Sequence, residues 1–250
     1  MKYFNSFLNN KKGALAIEFA FCFLLFVLIV FIIYDVYFTI SLQSKLERAN
    51  YTVATVFRER STLYKDKVKA ADDVFAAGLC SDRLSCYNSY EVFDSQQVDE
   101  MAELASSLLS NRQVYLRIEA LFMLQDPSYP GDITRARLVI QGENNLSCSS
   151  SICSNNSIEN YFDGLLAMDD PSNNYQQLTP YVQRLVDSST KLTGRWIPMY
   201  RVSMCIANEE SLYLTWFNSS RRQDGFTPNL CSNVVVLSRC NDANSCPAYY

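Results

Sequence analysis

The chain begins with apolar residues that carry no alternation. From Ala14 to Tyr34 it reads ALAIEFAFCFLLFVLIVFIIY, with Glu18 as its one charged residue. At about 1.5 Å of rise per residue such a helix covers roughly 30 Å of hydrocarbon, enough to span a bilayer. Downstream the pattern acquires a period. Leu42, Leu46, Ala49, Val53 and Val56 recur at spacings of four and three, while Gln43, Ser44, Glu47 and Arg48 fill the other faces. That is a helix with one apolar stripe. After Gly13 the next glycine is Gly78 and the first proline is Pro127, so no strong breaker separates the two patterns. One continuous helix from Ala14 to about Arg60, on the order of 70 Å long, is predicted. Its stripe serves either as core for the chain's own C-terminal domain or as a face against which neighbouring subunits pack.

Farther along, the periods alternate between helix and strand. Gln96 to Leu109 sets Val98, Met101, Leu104, Ala105 and Leu108 at helical spacing behind Asp94 and Ser95, residue types that cap helix N-termini. Thr179-Pro180 reads as a second start, a cap followed by a first-turn proline, with a helix running to about Ser188. Val114, Leu116, Ile118, Ala120 and Phe122 share one parity, as do Ala136, Leu138 and Ile140, and later Val202, Met204 and Ile206. Leu212 to Phe217 and Val234 to Ser238 bring the expected strands to about five, with Asn208-Glu209-Glu210-Ser211 as a hairpin turn. A Ser/Asn-rich connection between Asn144 and Asn174 holds two cysteines and a short helix near Ile158 to Met168. The expected fold class is α+β: a long N-terminal transmembrane helix continuing into a disulfide-bonded antiparallel sheet with helices on one side.

Charge narrows the function. The 250 residues include 22 basic and 26 acidic side chains and no histidine. A net charge of −4 disfavours nucleic acid as a partner. The lack of histidine removes Ser-His-Asp and Cys-His catalysis and imidazole metal ligands. No nucleophile motif or Gly-rich phosphate loop is present in the sequence, so neither an enzyme nor a cofactor is expected. Lys2, Lys11 and Lys12 precede the apolar run, and no acidic residue occurs before Glu18. The positive-inside bias therefore places the N-terminus in the cytoplasm and the chain after Asp35 outside. The run ends at Ile33-Tyr34-Asp35-Val36-Tyr37, with no small-residue cleavage site of the secretory type. Glu18 is out of place in a plain anchor, since a carboxylate in the hydrocarbon costs roughly 2.5 to 3.5 kcal/mol, less near the interface.

The stretch Lys12-Gly13-Ala14-Leu15-Ala16-Ile17-Glu18-Phe19 resembles the class III signal of type IV pilins and pseudopilins in its G-x4-E-F form. Tyr34-Asp35, Leu42-Gln43-Ser44-Lys45-Leu46-Glu47-Arg48-Ala49 and Val56-Phe57-Arg58-Glu59-Arg60-Ser61-Thr62-Leu63-Tyr64 resemble the post-membrane region of the TadF family of the tight-adherence (Flp) pilus system, with TadE as a sibling. The resemblance covers roughly residues 11 to 65. It implies that an aspartyl prepilin peptidase cuts between Gly13 and Ala14 at the cytoplasmic face of the inner membrane. The organisation that follows is a leader over residues 1–13, a span over 14–34, an amphipathic extension over 35–64 and an exported, periplasmic domain over 65–250. The new amine of Ala14, with a reference pKa of about 7.7 to 8.0, would offer Glu18 of a neighbouring subunit an opposite charge. Glu18 and Phe19 are thus the expected assembly contacts. Implied partners are the prepilin peptidase, the minor pilins TadE and TadG, the small major Flp pilin and the inner-membrane assembly platform. A type II secretion pseudopilin would share Glu18 and the long helix. A membrane-tethered receptor or adhesin ectodomain would carry Glu18 by accident.

Nine cysteines sharpen the compartment. Cys22 lies in the span as a small apolar residue. Cys80, Cys86, Cys148, Cys153, Cys205, Cys231, Cys240 and Cys246 form an even set on the exported side, as in an oxidising periplasm. Short loops favour Cys80 with Cys86, Cys148 with Cys153 and Cys240 with Cys246, leaving Cys205 with Cys231 as the longer bridge. No C-x2-C pair exists, so disulfides are expected rather than a metal. The acidic pairs Asp72-Asp73 and Asp169-Asp170 lack calcium-loop spacing. Sequons at Asn50, Asn145, Asn155 and Asn218 are the best support for a glycosylated cell-surface protein. Arg221-Arg222 and Trp216-Phe217 read as a hairpin end.

Overall fold

The computed structural model describes residues 11–59, 90–145, 156–185, 192–207, 229–239, 246 and 248–249. Helix α1 (Lys11–Arg58) runs without interruption, as the absence of breakers after Gly13 predicts. Its threonines bond back to the helix, Thr39 to the carbonyl of Asp35 and Thr52 to that of Arg48, so their hydroxyls need no outside partner.

Four strands form the main sheet: β1 (Val114–Leu124), β2 (Arg137–Asn144), β5 (Met199–Ala207) and β6 (Asn229–Leu237). The order is β2-β1-β5-β6 and every neighbouring pair is antiparallel. Strands β3 (Tyr181–Leu185) and β4 (Leu192–Trp196) form a separate hairpin. Because side chains alternate along a strand, Val114, Leu116, Ile118, Ala120 and Phe122 line one face together with Tyr200, Val202, Met204 and Ile206. That front face receives the stripe of α1: Leu42, Leu46, Ala49 and Val53 are buried there, Val56 is half-buried beside them, and Phe57, outside the predicted stripe, is fully buried. The stripe is core for the chain's own domain. Phe57 meets Phe93 and Tyr200 edge-on at 5.3 and 5.2 Å, the arrangement the ring quadrupoles favour. Helix α2 (Ser95–Leu108) lies beside α1 on the same face, with Asp94 accepting from the amide of Gln97 as its N-cap.

Asn50 is the one polar residue in the buried stripe. Fully buried, it donates its side-chain amide to the carbonyls of Val202 and Ser232 at 3.2 and 3.0 Å. These bonds hold α1 in one rotation and one axial position across β5 and β6, where apolar contacts alone would tolerate sliding.

The reverse face corrects the expectation of helices on one side only. Helix α3 (Asn156–Asp163) covers it, with Ile158 and Phe162 packed against Tyr115, Cys205 and Cys231. Met168 and Tyr175 cover Leu121 and Met199 farther along. Between the two apolar patches runs a charged row in which Arg201 donates to Glu119 through Nε at 2.7 Å, and Arg117 lies 3.1 Å from the same carboxylate. The odd parity of β1 and β5 mixes apolar and charged residues, so alternation read from sequence marked only the even face as one needing cover.

A second correction concerns Thr179-Pro180. The helix expected from there to Ser188 is strand β3 over Tyr181–Leu185, and residues 186–188 lie outside the described residues. Thr179 closes the preceding short helix α4 (Tyr175–Leu178), its hydroxyl donating to the carbonyl of Tyr175, instead of opening a new one. Pro180 then sits just before a strand, a position that tolerates its missing N–H. Across the hairpin, a side chain at Gly194 would run into the tip of the Tyr181 ring, so a larger residue requires that ring to move. The expected strand at Leu212 to Phe217 and the turn at Asn208 to Ser211 lie outside the described residues.

Candidate functional site

Helix α1 has two environments on one backbone. From Ile17 to Ile40 nearly every large apolar side chain is exposed: Phe19 by 72%, Phe31 by 65% and Ile40 by 63%. From Ile17 onward the first buried residue is Leu42. This is one helix long and apolar enough to cross a membrane. Water is a poor solvent for such a surface, and a lipid interior or other apolar helices are good ones. Phe23, Phe26, Val27, Val30, Phe31 and Tyr34 line an apolar groove along it.

Glu18 lies exposed on this helix between Ile17 and Phe19. Seventeen residues separate it from Asp35, which the helical rise converts to roughly 25 Å. The two carboxylates therefore bracket a hydrocarbon-sized length of helix. Gly13 and Ala14 are helical, as are Lys11 and Lys12. The helical repeat sets Glu18 one turn from Ala14 on the same face. Lys2 lies outside the described residues. Cys22 is a free, exposed thiol one turn beyond Glu18.

The cysteine expectations divide. Cys205 and Cys231 form a disulfide, standing opposite each other on β5 and β6. The 26-residue separation makes it worth roughly 3 kcal/mol in the chain-entropy picture. Cys246 is disulfide-bonded as well. Cys80, Cys86, Cys148, Cys153 and Cys240 lie outside the described residues. Two sequons are structural: Asn50 is fully buried, and Asn145, also buried, accepts from the amide of Leu116 at 2.9 Å and donates to the carbonyl of Val114 at 3.1 Å. An acceptor asparagine must be exposed, so half the support for a glycosylated surface protein is gone; Asn155 and Asn218 lie outside the described residues. Asp170 caps a short 3-10 turn by accepting from Ser172, which holds its carboxyl below the usual range. Among the described residues no group of three or more Cys, Asp or Glu is arranged to hold a metal.

Sequence reasoning missed a buried latch at the end of the sheet farthest from the span. Arg195 of β4 donates to both oxygens of Glu91 at 2.7 and 2.9 Å. Ser238 and Tyr249 donate to the same carboxylate, and Tyr200 donates to the backbone carbonyl of Glu91. Burial alone would push the Arg195 guanidinium down, but the Glu91 hydrogen bonds and charge outweigh it and hold the group above its usual value. Partners 104 residues apart leave no local signal. The latch fastens the hairpin and the C-terminal residues to the core; it is structural.

Residues 6–239 match the family model described as "Putative tight adherence pilin protein F", TadF. The chain belongs to the TadF family. That match covers nearly the whole chain, including the sheet as well as the N-terminal segment that carried the resemblance. No curated protein and no solved structure matches it. TadF membership makes the chain a Tad pilus-associated protein, in keeping with a helix long and apolar enough to cross a membrane. The family is a structural, non-enzymatic one.

Proposed function

We propose that this TadF-family chain is a minor pilin that takes part in assembling a tight-adherence pilus. Prepilin peptidase removes residues 1–13 at the cytoplasmic face of the inner membrane, and Ala14 becomes the mature N-terminus. The sheet domain occupies the periplasm. The subunit waits in the bilayer until its helix joins other pilin helices, among them TadE, TadG and the major Flp pilin, at the assembly platform. The observation that carries this reading is Glu18, the one charged residue in the apolar run from Ala14 to Tyr34 and exposed on the helix, in a chain of this family. Unpaired in lipid it costs a few kcal/mol. Opposite a cationic Ala14 amine of another subunit it becomes an attractive contact in a low dielectric. Family membership favours this over a type II secretion pseudopilin, and the two buried sequons weigh against a glycosylated receptor.

The test is mass spectrometry of the N-terminus from cells with and without prepilin peptidase. A chain starting at Ala14 only when the peptidase is present is the expected result. A mature, assembled protein that retains Met1 would overturn the proposal. Glu18→Ala should leave the chain processed and membrane-bound yet absent from sheared pilus preparations.

A further inference from the structure

The order of residues along α1 and the sheet fixes how far the folded domain stands from the membrane. Gln43 of α1 donates to the carbonyl of Cys231 on β6, and the carbonyl of Arg58 accepts from the amide of Arg239. Strand β6 therefore runs alongside α1 in the same direction. Its early residues are the ones nearer the span. Leu230 pairs with Ile206, and Ile206 with Val114, so these three form the first row across the sheet at the level of Leu42 to Gln43. Strand β1 runs with β6. The turn that precedes it, Ser110 to Gln113, extends beyond that row toward the span. Ser110 and Asn111 adopt positive φ of 60° and 61°, which folds this turn tightly back on the end of α2.

Seven residues separate Asp35 from Leu42, about 10 Å of helix, whereas the headgroup zone beyond the hydrocarbon is roughly 5 to 8 Å thick on each side. The turn that joins the end of α2 to Val114 lies on the span side of that first row. The near edge of the domain therefore stands within about one helical turn of the headgroup zone. The chemistry of the turn fits the same depth. Leu108 continues the stripe that buries Val98, Met101 and Ala105, yet it is 46% exposed at the end of α2 nearest the span. No acidic residue occurs between Glu103 and Glu119, in a chain whose net charge is −4.

We propose that this rim, Leu108 through Gln113, rests in the lipid headgroup layer, so that the membrane orients the sheet domain as well as anchoring it. The surface is an apolar residue beside polar, non-acidic groups, which suits the headgroup layer. Because the inference rests on α1 spanning the bilayer, its test carries a separate control. In the full chain in nanodiscs of phosphatidylethanolamine and phosphatidylglycerol, a nitroxide is placed on Cys22, or on Ser110→Cys or Ser128→Cys with Cys22→Ala. Ser128 is exposed past the far end of β1, on the order of 35 Å from the rim. The expected result is strong relaxation of the Ser110 label by nickel chelated to lipid headgroups and none at Ser128, with the Cys22 label reached only by lipid-soluble oxygen. A Ser110 label as open to aqueous nickel as Ser128, or shielded from both water and headgroups, would overturn the rim contact alone. A Cys22 label in water would overturn the spanning reading itself.

Discussion

The two halves of α1 share a backbone and differ in what surrounds them. From Ile17 to Ile40 apolar residues face every direction and none has a partner within the fold's core except Phe38. From Leu42 to Phe57 they are confined to one stripe apart from the exposed Tyr51, and the opposite side carries Lys45, Glu47, Arg48 and Thr52 in the open. A helix apolar all round is stable where its environment is apolar all round; a striped helix is stable where one side meets a core and the other meets water. The change of pattern at Leu42 therefore marks where α1 begins to pack on the chain's own core. It also divides the energetic roles, because burial in the folded domain stabilises that domain only for side chains in the second half.

The division is open to a direct comparison of two phenylalanines. Phe57→Ala empties a site walled by Phe93 and Tyr200 and should destabilise the domain by about 3 to 5 kcal/mol. Phe26→Ala, on the exposed apolar half, should leave the same denaturation curve unmoved. Urea titration of the detergent-solubilised full chain, read from the tyrosine and tryptophan signal, measures both. Equal destabilisation by the two substitutions would mean that the halves fold as one packed unit.

Asn50→Ala makes a smaller break within the docked half. It leaves the carbonyls of Val202 and Ser232 without their donor in a closed interior, at a cost of about 1 to 3 kcal/mol. The same measurement applies, with amide exchange as a second readout. If Asn50 fixes the position of α1, slow exchange should be lost along Leu46 to Val53, whereas a purely local bond would affect only its immediate neighbours.

How much of this was legible in the sequence depends on the range of the interactions. The span, the stripe, the cap at Asp94 and the even face of β1 and β5 were legible because each is written in residues within a few positions of one another. Cys205 with Cys231 emerged by elimination among spacings, and the fold confirms the pair by setting both residues at the same sheet row. Thr179-Pro180 misled because cap-plus-proline is a rule about helix starts, while the hydroxyl of Thr179 already serves the helix before it. The Glu91 latch was illegible for a different reason: its acceptor, donors and hairpin come from four separate stretches of chain. At the candidate site, Glu18 was visible as a charge in apolar text, but the depth of the rim needed the strand register that only the folded sheet supplies.

The smallest effect separates the carboxylates near the two ends of α1. Glu59, just past its last turn, accepts from Arg239 at 2.9 Å, and this hydrogen bond holds its carboxyl below the usual range, with slight burial opposing and the charges of Arg239 and Arg58 assisting. A depressed folded-state value means that the pair stabilises the protein above the unfolded carboxylate value, about 4.3, and that the stabilisation fades as pH falls through the folded value. Both side chains are open to water, so screening keeps the contribution small. Arg239→Gln should therefore lower the thermal midpoint slightly at pH 7 and not at all at strongly acidic pH, and added salt should shrink the difference at pH 7. A difference that persists at low pH would mean that Arg239 acts through its packing or its backbone bond to Arg58 instead of through the Glu59 charge. Glu18→Ala should leave these midpoints untouched at every pH, because the partner proposed for that carboxylate lies on another subunit.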